Sequence, residues 1–168
     1  MKINDYILKL KELGACSEAI ENARNYEISQ QLWDDCKRGD WMLWLIGKLS
    51  GEAGNEKRKK LVLTACQCAR LSLKYVPEDE KRPLIAIETA EKWAKDEAKI
   101  KDVRAAAYAA YAAAYAAAAA ADAAADAYAA YAAAYAADAA AAADRKEILA
   151  KCADIVRKEY PNIDELFT

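Results

Sequence analysis

Thirty-nine consecutive residues, 105–143, are spelled with three letters, thirty Ala, six Tyr and three Asp, with neither Gly nor Pro among them. Alanine has the highest helix propensity, and a run of this length far exceeds the dozen or so residues at which an isolated helix becomes marginally stable. The tract therefore sets the fold class as all-α. Within it the ten-residue string 108–117 recurs unchanged at 128–137. At 100° per residue Tyr108, Tyr111 and Tyr115 share one arc, and Tyr128, Tyr131 and Tyr135 fall on roughly the opposite side of an unbroken helix. Such a rod would be about 58 Å long, wider than a globule of this size. A fold-back near 121–126 would instead turn both tyrosine stripes towards one core, and compactness favours that break over propensity.

The flanks predict further helices, giving a bundle of about seven or eight around an Ala/Tyr-rich spine. Asn4 is placed to cap a first helix that Gly14 closes in the left-handed region. A second helix is expected over 17–26 and a third over 28–36, where Ile28, Leu32, Trp33 and Cys36 keep helical spacing. Gly39 stops the chain and Asp40 caps a fourth helix whose six consecutive apolar residues, Trp41 to Ile46, require burial on most sides. A loop over 50–55 precedes a long helix over 56–76, with Leu61, Val62, Ala65, Cys66, Ala69, Leu73 and Val76 inward and Pro77 as its stop. Pro83 suits the first turn of a helix burying Ala86, Thr89, Ala90 and Trp93, and Asp102 caps the helix that leads into the tract. Asp144 with Glu147 reads as a capping box for a last helix bearing Ile148, Leu149, Cys152, Ile155 and Val156. Pro161 ends it, and Ile163, Leu166 and Phe167 dock a short tail. The 168 residues read as a single all-helical domain in three stretches, 1–104, 105–143 and 144–168.

Charge narrows the function classes. The net charge is -2 and no stretch is basic enough to draw nucleic acid by its field. With 31% charged residues no membrane span and no membrane partner is expected, and without a secretory leader pattern the expected compartment is the cytoplasm. Five scattered cysteines fit small buried thiols better than a disulfide framework. The chain has no histidine, which removes the imidazole base of Ser-His-Asp and Cys-His sites and the usual zinc ligands. Cys66 and Cys68 diverge by about 200° on a helix and cannot share a metal. Asp122 and Asp126, one turn apart, are too few for a calcium cage. Glu88 and Glu91 are the inner-helix carboxylates left for any acid–base chemistry. No catalytic residue, metal or cofactor is expected.

Two clusters stand out as contact residues. Around the turn after the third helix, Asp34, Asp35, Arg38 and Asp40 lie among Trp33, Trp41 and Trp44, a mixture of the residue types that dominate protein interfaces. At the start of the fifth helix, Lys57, Arg58 and Lys60 belong to a run of four cations in five residues, where the helix dipole disfavours positive charge and an acidic partner would be welcome.

Several strings follow one another in a recognisable order: 13–19, LGACSEA; 38–45, RGDWMLWL; 61–73 around ACQCAR; Arg82-Pro83 followed by 86–94, AIETAEKWA; Val103-Arg104 before the Ala/Tyr/Asp tract; and 152–157, CADIVR. Together they resemble the immunity proteins of the Imm-5-like type, over nearly the whole chain. The resemblance implies an all-helical cytoplasmic protein of bacteria or phages that binds and neutralises a cognate toxin without catalysis. The alternative is a helical module that sequesters a small ligand or nucleotide, resting on the tyrosine stripes and the Lys57–Lys60 cluster.

Overall fold

Gly14 sets the first corner. In the computed structural model, which describes residues 1–52, 54–110, 112 and 128–167 (128–143 as helical backbone only), helix α1 (Ile3–Glu12) ends with Gly14 at φ +82. The Gly14 N–H donates to the Lys11 carbonyl and the Ala15 N–H to the Leu10 carbonyl, so the last carbonyls of the helix are answered as the chain reverses. Asn4 lies inside α1 rather than before it. Its capping role is displaced because Lys2 is held extended by a lone antiparallel bridge to Ile28.

Helices α2 (Ser17–Ala23), α3 (Ser29–Asp35), α4 (Gly39–Leu49), α5 (Glu56–Arg70) and α6 (Arg82–Ala94) follow, then a helical segment over 100–110, α7, and a long helix α8 (Tyr128–Glu159) that precedes a 3-10 turn, Ile163–Phe167. Among the described residues there is no strand, and the all-α class holds. The tyrosine stripes beyond Tyr108, Asp122, Asp126, the Asp138 side chain and the fold-back near 121–126 lie outside what is described.

The chain forms two compact units, 1–64 with 149–168, and 65–148. In the first, α4 presents Met42, Leu45 and Ile46 to a core shared with Tyr6, Leu10, Leu32, Trp33, Val156 and Ile163, all buried. Removing each such side chain from water contributes about 1.5–3 kcal/mol. No residue from Trp41 to Gly47 is exposed, as six apolar positions in a row demand. The tail docks as its apolar residues predict: Ile163 is fully buried and the Phe167 ring meets Tyr6 edge-on at 5.9 Å. Gln30 clamps it, its amide nitrogen donating to the Pro161 carbonyl (2.9 Å) while its oxygen accepts the Ile163 N–H (3.1 Å).

In the second unit α6 ends on Asp96, at φ 62, with the bonding seen at Gly14: Asp96 N–H to the Trp93 carbonyl and Glu97 N–H to the Lys92 carbonyl. An Asp tolerates the left-handed region where branched side chains do not. Pro83 sits in the first turn of α6, and Glu80 accepts from both the backbone N–H and the guanidinium of Arg82, which holds its carboxyl down at about 2. Asp102 lies in the first turn of α7 and reaches back to accept the Lys99 N–H.

Other expectations shift. The helix from Glu56 ends at Arg70, not near Val76, because Leu71 and Ser72 take tighter bonds to Cys68 and Ala69 and Val76 must be extended before Pro77. Ala69 is exposed, while Cys66 and Cys68 are both buried. Cys16 is exposed and does not fit the buried-thiol reading. Asp144 and Glu147 open no helix: α8 runs through them, since the alanines before Asp144 already satisfy its backbone and nothing interrupts it.

Candidate functional site

The turn from α3 to α4 is built by close approach. Gly39 lies against α8, where a Cβ would stand 2.4 Å from the Cys152 Cβ and 2.7 Å from the Ala153 nitrogen, so only glycine fits. From the same stretch of α8, Arg157 donates to the Cys36 carbonyl at 2.6 Å and the Trp33 carbonyl at 3.3 Å, answering the end of α3. The Trp33 indole N–H donates to the Tyr160 carbonyl at 2.8 Å.

On that base Arg38 is held from several directions. Its Nε and Nη2 donate to the two oxygens of Asp40 at 2.9 and 2.8 Å, and its Nη1 to Glu18 at 3.3 Å. Its guanidinium lies 4.1 Å from the centre of the Trp41 ring. The Asp40 carboxyl is held below the usual carboxylate range chiefly by its hydrogen bonds from Arg38, against the opposing effect of partial burial. Asp40 is thus a partner of Arg38 inside the first turn of α4, whose preceding residue, Arg38, supplies no side-chain cap. Such a half-exposed pair adds little to stability, but the forked geometry fixes where the charges stand. Trp41 and Trp44 are half-buried rather than core, unlike Trp33. Beneath them is an apolar cavity of about 40 Å3, lined by Tyr6, Leu10, Leu32, Trp33, Trp41 and Trp44 among others. The Cys36 thiol at its edge has its pKa pushed up, mainly by burial, so it is a poor nucleophile near neutral pH.

The second cluster opens α5. The Asn55 side-chain oxygen accepts the Lys57 N–H at 2.7 Å. Arg58 donates through Nε and Nη2 to the Gly51 carbonyl (3.2 and 2.6 Å), fixing the loop after α4. Lys60 Nζ donates to the Glu159 carbonyl at the end of α8 (2.6 Å) and lies 4.4 Å from the centre of the Tyr160 ring. The puzzle of cations at a helix N-terminus has a local answer: Arg58 and Lys60 serve carbonyls of neighbouring segments, one of them at a helix C-terminus where positive charge is favoured. Lys57 differs, since its amine has no hydrogen-bond or ion-pair partner among the described residues. It borders a cavity of about 190 Å3 together with Ile46, Leu49, Lys60, Glu159 and Leu166. The Tyr160 hydroxyl is buried without a hydrogen bond of ordinary geometry, the nearby Thr64 hydroxyl being directed to the Lys60 carbonyl.

Of the residues singled out in the sequence, Arg38 and Asp40 are joined, and Lys57 and Lys60 line one cavity. Asp34 accepts from Gln30 at 2.8 Å and Asp35 is exposed. Within the described residues no hydrogen bond or ion pair links the two clusters. Sequence reasoning missed Glu18 and Gln30 as participants. Glu18 had no local signal, its partner being 20 residues away, and Gln30, though it also reaches Asp34 one turn on, gave no sign of the tail 131–133 residues away. Glu91 pairs with Arg70 through two bonds (2.9 and 2.8 Å), which lower its pKa and make it a weaker base, with Glu88 exposed beside it. Among the described residues no three His, Cys, Asp or Glu side chains converge as a metal cage. No described helix is long and apolar enough to cross a membrane. Against known proteins, the chain matches no family model, no curated protein and no solved structure.

Proposed function

We propose that this chain is a non-enzymatic binding protein that neutralises a cognate toxin in the cytoplasm, and that its contact surface is the turn carrying Arg38, Asp40 and Trp41. The observation that carries the reading is the way Arg38 is held. A guanidinium fixed by Asp40, Glu18 and the Trp41 face loses little side-chain freedom on association, so its contact energy is not consumed by ordering. Arginine and tryptophan are also the residue types most often found at the energetic centre of interfaces. The exposed carboxylates of Glu18, Asp34, Asp35 and Asp40 outnumber the nearby cations Lys37 and Arg38, which suits a partner with a basic contact face. The toxin assignment itself rests on the family resemblance of the sequence strings.

The test is co-expression with the product of the adjacent gene, followed by affinity capture and a growth assay. The proposal expects a stoichiometric complex and protected growth. Unprotected growth with no captured partner would remove it.

A second reading, a small-ligand or nucleotide-binding module, is favoured by a different observation, the cavity beside the unpaired Lys57 amine. A ligand retained through purification would support it.

A further inference from the structure

We infer that the cavity between the end of α4, the start of α5 and the end of α8 binds a small monocarboxylate with a branched apolar body, and that Lys57 anchors its carboxylate. This deepens the ligand-binding reading above and rests on it.

Size, lining and charge each restrict the ligand. At about 190 Å3 the space is somewhat larger than the cavity of about 150 Å3 that admits benzene, so it takes a body of leucine or phenylalanine dimensions and not a nucleoside with its phosphates. Ile46, Leu49 and Leu166 supply an apolar wall. The charged lining residues are Lys57, Lys60, Glu159 and Glu165, a balanced set. Lys60 already donates to the Glu159 carbonyl, and Glu165 already accepts from Asn162 at 3.2 Å. One cation is left for a ligand. In a lining whose charges balance and which also carries Glu159 and Glu165, one negative charge beside Lys57 is held more easily than the two of a phosphate dianion.

Lys57 also borders a second, more open groove of about 380 Å3 that shares Leu49 and Leu166 with the first and continues past Lys9, Glu12 and Phe167. Lys9 lies 4.5 Å from the centre of the Phe167 ring. The same carboxylate chemistry can therefore reach Lys57 as a free acid, or as the C-terminal residue of a peptide whose preceding residues occupy the groove.

The experiment is a titration of the full chain, followed by amide chemical shifts and calorimetry, with four probes: N-acetyl-leucine, its neutral amide, a pentapeptide ending in leucine with a free carboxylate, and adenosine monophosphate. The inference expects N-acetyl-leucine to shift Ile46, Leu49 and Lys57 resonances. Its amide should bind at least tenfold more weakly, as should the acid to Lys57→Met, while Lys11→Met, a charge-matched change on the exposed face of α1, should bind as the parent does. A tenfold or greater gain for the pentapeptide would identify a peptide C-terminus as the source, and equal affinity would identify a free acid. Equal binding of acid and amide, or unchanged affinity in Lys57→Met, would overturn the inference. Binding of adenosine monophosphate in place of the acid would overturn it while leaving the broader ligand-binding reading intact, and silence from all four probes, with no ligand retained on purification, would overturn both. Lys57 is exposed and its backbone N–H, not its side chain, makes the bond to Asn55, so the substitution does not threaten folding.

Discussion

The two charged clusters, one mostly acidic and one mostly basic in the sequence, use their cations in opposite ways. At the α3–α4 turn, Arg38 pairs with carboxylates that are themselves on the surface, so the whole group stays available to a partner. At the start of α5, Arg58 and Lys60 are turned onto backbone carbonyls, where they hold a loop and a helix end in place. The difference lies in what answers the charge. A surface carboxylate leaves a preorganised contact, whereas a carbonyl at a helix end makes the cation part of the scaffold. Lys57, answered by neither, is the residue of the second cluster left to meet a ligand.

Substitutions separate the scaffold from the contact surface. The largest effect is expected at Gly39, because in Gly39→Ala the new methyl collides with the backbone of α8, which cannot swing away as a side-chain tip can. A loss of about 3 kcal/mol, read by urea denaturation, is expected from overpacking of this kind. Near-parental stability would show that α4 and α8 approach less closely than described. Trp33→Phe follows, at about 2 kcal/mol, since the Tyr160 carbonyl loses its donor and the smaller ring leaves a void where the indole was buried. Lys60→Met should lose about 1 kcal/mol through the freed Glu159 carbonyl, and the same measurement on Arg38→Ala should move by no more than about 0.5 kcal/mol. If Arg38→Ala proved the more damaging of the two, the contrast between the clusters would be reversed. The smallest effect concerns pH. The folded-state pKa of Asp40 is lowered, so its pair with Arg38 contributes above the ordinary aspartate range and is lost as pH falls through the depressed value. Relative to Asp40→Asn, the parent chain should therefore show a small stability advantage at pH 6 that disappears in acid.

How much of this the sequence revealed follows from the range of each interaction. Gly14, Pro83, Pro161 and the six apolar residues after Asp40 act within a turn or two, and the structure uses each as its local chemistry requires. The early end of α5 and the uninterrupted course of α8 were hidden because capping residues and prolines compete with neighbouring propensity, and at Asp144 the alanines prevail. Arg38 and Asp40 were legible as a site, being two residues apart. Glu18 and Gln30 were not, and neither was the role of Gly39, which is set by a helix more than a hundred residues further along. Lys57, Arg58 and Lys60 read as one patch until the carbonyls of Gly51 and Glu159 divided them.

The contact role of Arg38 and the scaffold role of Lys60 are separated by the affinity of the captured partner for two variants at matched concentration, Arg38→Ala and Lys60→Met. Arg38→Ala, though nearly as stable as the parent, is expected to bind at least tenfold more weakly, and Lys60→Met, though less stable, to bind as the parent does. Unchanged binding by Arg38→Ala, or a loss confined to Lys60→Met, would contradict these roles.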